Sequence, residues 1–124
     1  MLGDDLGAAD QWIDDWESTI QTRAAQAKEF AERAAGLTAT ARSADGAIGV
    51  TVDSSGGLAK LELSERIRSR PAHETSDQIV ATLRAAQARL AQLMAEAADE
   101  VGGDVGRTVA ASYASRFPAE PERE

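Results

Sequence analysis

Cysteine is absent from this 124-residue chain. That excludes a disulfide framework, a thiolate metal site and thiol chemistry, and it suits a reducing compartment. There is one histidine, His73. A metal ligand or general base needs supporting partners, and none is identifiable near it, so His73 reads as a loop or cap residue. No apolar run approaches the roughly 20 residues that span a bilayer. The opening MLGDDLGAADQW has neither the basic n-region nor the apolar run of a secretory signal. A cytoplasmic location away from membranes is the expectation.

Positive charge is also scarce. The net charge is −8, from 13 basic and 21 acidic residues. Residues 1–35 contribute −5, with eight acids against three bases. Only the stretch after residue 64 is clearly basic, with Arg66, Arg68 and Arg70 against Glu65. An acidic chain lacks the long-range attraction that draws basic proteins to DNA. The length suits one domain, small enough that association is a reasonable expectation.

What is present is a helical pattern interrupted by a sheet. Ile13, Trp16, Ile20, Ala24, Ala27, Ala31 and Ala34 recur every three or four residues, predicting a helix from about Asp10 to Ala35. Asp10, Asp14, Asp15 and Glu17 favour its first turns, and Gly36 is a suitable stop. Alternation of Leu37, Ala39 and Ala41, then Ile48, Val50 and Val52, then Ala59, Leu61 and Leu63 predicts a three-stranded antiparallel meander with one apolar face. Asp45-Gly46 reads as a two-residue hairpin turn, and Ser54-Ser55-Gly56-Gly57 as a second turn. SERIRSRPAHE reads as a loop, since Pro71 biases Arg70 away from helix. Thr75-x-x-Gln78 resembles a capping box opening a helix through Ile79, Leu83, Ala86, Leu90, Leu93, Ala97 and Val101. Gly102-Gly103 ends it, and a short helix over about Asp104–Phe117 follows. The fold class is α+β, in the order α-β-β-β-α plus a short C-terminal helix. The divisions are a flexible segment 1–9, a domain 10–101, a helical extension 102–117 and a disordered tail 118–124.

This arrangement resembles the YbaB/EbfC family of small bacterial nucleoid-associated proteins, in a diverged, actinobacterial-type form. The resemblance covers about Gln11 to Glu100. It is carried most by ATARSADGAIGVTVDSSGGLAKLELSERI, where a turn precedes G-x-V-x-V and a glycine turn precedes an L-x-L strand. It implies a homodimer whose sheets associate and whose helices project like tweezer arms. It also implies sequence-tolerant binding to double-stranded DNA, a role in nucleoid organisation or gene regulation, and no enzyme activity or cofactor. The chain departs from the family's better-known DNA binders in its acidic first helix and in lacking a glycine- and methionine-rich tail. Some relatives sit among type VII secretion genes, so an acidic dimeric adaptor or chaperone with a protein partner is the alternative. Tyr113 begins YASRF, which does not match the Tyr-x-x-x-Asp/Glu signal of substrates of that system.

The candidate DNA-binding residues are Arg66, Arg68 and Arg70. In an extended loop alternate side chains point the same way and would meet successive phosphates. The competing view is a solvated loop whose arginines pair with Glu65 and Glu74. Arg84 and Arg89, five apart on the second long helix, extend the stripe poorly. Trp12 and Trp16, four apart, read as a partner anchor or as a core or homodimer contact. The sheet association implied by the resemblance adds Val50, Val52, Leu61 and Leu63. Asp4-Asp5 and Asp14-Asp15 lack converging ligands for metal or acid/base work, so they read as a solvated acidic face.

Overall fold

A computed structural model of the chain describes residues 2–119, with side chains from Gly7 onward. Three helices and one sheet follow in the order α1 (Leu2–Ala35), β1 (Ala39–Arg42), β2 (Ile48–Val52), β3 (Leu58–Leu63), α2 (Ala72–Val101) and α3 (Asp104–Arg116). A short 3-10 turn, Glu65–Ser69, lies between β3 and α2.

The α1 helix starts eight residues earlier than the Asp10 start expected. Gly3 and Gly7 each cost about 1 kcal/mol of helix propensity, but no proline interrupts the stretch, and Asp4 and Asp5 suit a helix start. At about 1.5 Å per residue its 34 residues span about 51 Å. Only its last third packs: Gln26, Ala27 and Ala34 are partly covered and Phe30 is buried, whereas every residue from Gly7 to Ala25 is exposed. Residues 7–25 of α1 therefore stand clear of the body as an arm.

The sheet has the order β1-β2-β3, antiparallel throughout. Ala39 pairs with Val52 and Ala41 with Val50, while Val50 pairs with Leu61 and Ile48 with Leu63. Cross-strand partners share a face, so these residues form the apolar side. A bulge lets Val52 pair with Leu58, so Leu58 takes the place expected of Ala59. On the outer side the Thr40 and Thr51 hydroxyls meet at 2.9 Å. Arg42 reaches across Gly49 to Glu62 at 3.1 Å. The β1–β2 connection is five residues, 43–47, rather than the two-residue turn expected. Asp45 and Ser43 explain the difference: the Asp45 carboxylate accepts from Ala47 N, and the Ser43 hydroxyl accepts from Ile48 N. Gly46 sits at φ +74°, a conformation that suits glycine.

Helix α2 begins at Ala72, before the predicted Thr75 box. Pro71 occupies the cap position without a side-chain bond, where its missing N–H costs nothing. Gln78 instead accepts from Arg70 Nη1 at 2.8 Å. The α2 helix lies across β1 and β2, burying Ile48, Val50, Val52, Ala86, Leu90 and Met94 completely. Helix α3, in the predicted C-terminal extension, adds Ala110 to this core, with Val109 and Tyr113 packed against it. Helix α3 packs on α2 and α1, with buried Gly106 facing the Phe30 ring. A Cβ at Gly106 would lie 3.0 Å from Phe30 Cδ1 and 3.3 Å from Ala98 Cα. Tyr113 donates its hydroxyl to Ser54 O at 2.6 Å, and Gln87 donates to Gly56 O at 2.9 Å. Both bonds hold the β2–β3 turn onto the helices, and Phe117 caps Gly56. The predicted tail lies outside the described residues from Glu120 on, and so do the Asp4 and Asp5 side chains.

Candidate nucleic-acid and partner interfaces

The three predicted arginines do not lie in an extended loop. Glu65–Ser69 is a 3-10 turn, capped by the Ser64 hydroxyl accepting from Arg66 N at 3.3 Å, so alternate side chains diverge. Arg70 is mostly covered, with 20% of its side chain exposed, and forms an ion pair with Asp45. Arg66 Nη2 donates to Asp45 O at 2.8 Å. Together they clamp the β1–β2 turn to the entrance of α2. Arg68 is the outward one, 81% exposed and paired with Glu65 at 2.8 Å. The Asp45 carboxyl is held well below the usual carboxylate range, first by the Ala47 N–H, then by the Ser43 hydroxyl and by Arg70.

Arg42, at the end of β1, brings a fourth guanidinium to this end of the sheet. Glu62, Glu65 and Asp45 stand among the four. Lys60 also pairs with Glu62, at 3.1 Å, so the local charge is +2, small beside the −8 of the whole chain. Phosphate binding here has to compete with existing carboxylate partners. Arg84 and Arg89 lie on exposed positions of α2 away from this end, with Arg89 donating to Gln92 at 3.2 Å.

Among the described residues, two clusters of large apolar side chains remain uncovered. The first is β3. All six of its residues are exposed, including Leu58, Leu61 and Leu63 at 53, 38 and 45%. They share a face with fully buried Val52, Val50 and Ile48, but α2 covers the sheet only as far as β2. Val50 and Val52, expected at an interface, are core residues under α2 instead. Their cross-strand partners Leu61 and Leu58, with Leu63 opposite Ile48, are the accessible residues of this face. Sequence alternation identified Leu61 and Leu63 but missed Leu58, because the bulge that turns it inward leaves no periodic trace.

The second surface is the arm. Trp12 and Trp16 stack with ring centroids 6.4 Å apart and planes 10° from parallel. They are 66 and 55% exposed, with Ile13 and Ile20 beside them. The core option for the tryptophans does not hold within one chain. Asp14 and Asp15 are exposed on the same arm, Asp15 accepting from Gln11 Nε2 at 3.1 Å. His73 is exposed in the first turn of α2. Among the described residues, no group of three or more histidines and carboxylates converges as a cation site, and no helix is long and apolar enough to cross a membrane.

The α-β-β-β-α frame, with its glycine turns and long flanking helices, matches a family model over residues 13–105, three quarters of the chain. The chain belongs to the YbaB/EbfC DNA-binding family. No curated protein matches it closely enough to add to that assignment. The YbaB/EbfC match includes all three strands, the arginine turn, all of α2 and the packed part of α1. It also takes in Trp16, Ile20 and the start of α3, so the arm and the extension are partly inside the family's shared region.

Proposed function

We propose that this chain is a dimeric, nucleoid-associated DNA-binding protein without enzyme activity, acting in nucleoid organisation or gene regulation. The observation that carries the proposal is membership of the YbaB/EbfC DNA-binding family over residues 13–105. Contact with duplex DNA is assigned to the arginine end of the sheet, through Arg68 and Arg66 first. Arg70 acts as the clamp that positions their turn. The contacts are to phosphates, so binding is sequence-tolerant. Dimerisation is assigned to the uncovered Leu58, Leu61 and Leu63 face, where a second copy would do for β3 what α2 does for β2. The nucleoid, within the cytoplasm, is the matching location.

A second reading, an acidic adaptor for a protein partner, is favoured by one observation: the exposed tryptophans sit on a helix arm with no base between Gly7 and Thr22. Titration of labelled duplex DNA from about 50 to 200 mM salt tests the DNA proposal. Two or three phosphate contacts should weaken binding by about ten- to fortyfold across that range. Replacing Arg66 and Arg68 with alanine should flatten the dependence. Undetectable binding at the lowest salt, or binding unaltered in the double variant, contradicts it.

A further inference from the structure

We infer that the α1 arm is a docking surface for a cationic amphipathic helix of a protein partner. Projected at 100° per residue, Trp12, Ile13, Trp16 and Ile20 fall on the same side of α1 as Ala27, Phe30 and Ala34. Phe30 and its neighbours bury this side against α2 and α3. The apolar stripe therefore continues a helix-packing face beyond the point where the chain's own helices stop. Past the Arg23–Asp104 pair at 3.8 Å, nothing in the chain covers it among the described residues. Four large apolar side chains in an unbroken row fit a helix laid along the arm better than an isolated loop. Stacked tryptophans supply rigid contact area suited to an interface centre.

Charge selects the occupant. Asp10 and Glu17 border the stripe on one side and Asp15 on the other, Asp14 lies on the far side of the helix, and no lysine or arginine lies between Gly7 and Thr22. Duplex DNA would meet carboxylates. A second arm would bring three more rim carboxylates against these three, which opposes arm-to-arm pairing. A helix with an apolar face and lysine or arginine on its flanks satisfies both features, with the rim charges setting orientation and encounter rate. The inference goes beyond the DNA reading and stands whether or not DNA is bound.

The chain's two tryptophans both lie on the arm, so tryptophan fluorescence, excited selectively over Tyr113, reports this surface alone. The probe is a synthetic helix with leucine on one face and lysine on its flanks. It is compared with a scrambled peptide of equal charge, an amphipathic peptide with glutamate flanks, and duplex DNA, all at low salt. Only the cationic amphipathic helix should move the tryptophan emission to shorter wavelength, saturably. Neutralising the rim with Asp10→Asn, Asp15→Asn and Glu17→Gln should weaken it by roughly tenfold. Circular dichroism confirms that the variant remains helical, and unchanged wild-type affinity for DNA separates this result from the DNA reading. Three results overturn the inference: no shift with the cationic helix, an equal shift with the scrambled or acidic peptide, or a shift with DNA alone. A wild-type emission that moves to longer wavelength on dilution would assign the stripe to a second copy, and would overturn it too.

Discussion

Replacing Leu61 with aspartate should separate the two copies while leaving each one folded. Burying a whole leucine is worth about 1.5–3 kcal/mol. Leu58, Leu61 and Leu63 are 53, 38 and 45% exposed, so roughly 1 kcal/mol remains for each to gain, about 3 per chain and about 6 for a symmetric pair. Association costs about 4–15 kcal/mol. The leucine face alone therefore balances only the low end of that cost, and a stable dimer requires added contacts along the open β3 edge. Because symmetry repeats every change, Leu61→Asp removes about 2 kcal/mol of burial and sets two carboxylates at the centre of the contact. The dimer dissociation constant should rise by at least about 30-fold. Sedimentation equilibrium measures this, and far-UV circular dichroism with urea melts checks the fold. Leu61 lies outside the buried core, so the monomer should lose little. A wild-type chain that stays monomeric at about 100 μM, or a variant that dimerises as well as wild type, would refute the reasoning.

Other substitutions test the packing. Phe30→Ala should cost about 3–5 kcal/mol in urea unfolding, because the ring is buried to within 3% exposure. Trp16→Ala, on the same helix, should cost under about 0.5 kcal/mol; a large Trp16 effect would mean that the arm is held in the free protein. Arg70→Met should lower the thermal midpoint by freeing Asp45 and Gln78, whereas exposed Arg68→Ala should leave it unchanged. Asp45, Asp53 and Glu62 all have carboxyls held below their ordinary values. Their stabilising contribution is fully present above those ordinary values, 3.8 for aspartate and 4.5 for glutamate, and is lost as pH falls through the depressed ones. Urea midpoints should therefore hold from neutral pH to about 5 and fall below about 4, with a smaller fall in Asp45→Asn.

The order of elements and the apolar face of the sheet were legible from periodicity alone, since strand alternation and helical spacing are local properties. The misplaced boundaries were local too, but rested on weaker signals. The Thr75-x-x-Gln78 pattern looked like a cap, yet Pro71 had already set the helix and Gln78 was taken by Arg70. The arginines illustrate what local pattern does not contain. Arg70 meets Asp45 from 25 residues away, so its role as a clamp depends on the β1–β2 turn folding back to α2. Tyr113 likewise reads as part of an unmatched signal, but it binds Ser54 O across 59 residues and makes the C-terminal helix structural. The exposure of β3 was invisible because its alternation equals that of a covered strand. Only the position of α2, over β1 and β2, distinguishes them. Trp12 and Trp16 left core and interface readings open, and the arm's projection from the body removes the first within one chain.

The central claim is that this acidic member of a DNA-binding family binds DNA at the arginine end of its sheet. An NMR titration of isotope-labelled protein with a short duplex at about 50 mM salt tests it most directly. The account predicts shifts concentrated at Arg42, Arg66 and Arg68 and the turn around Asp45, reversed by added salt, with the amides from Asp10 to Ile20 unmoved. Shifts centred on the arm, or none anywhere at that salt, would contradict it.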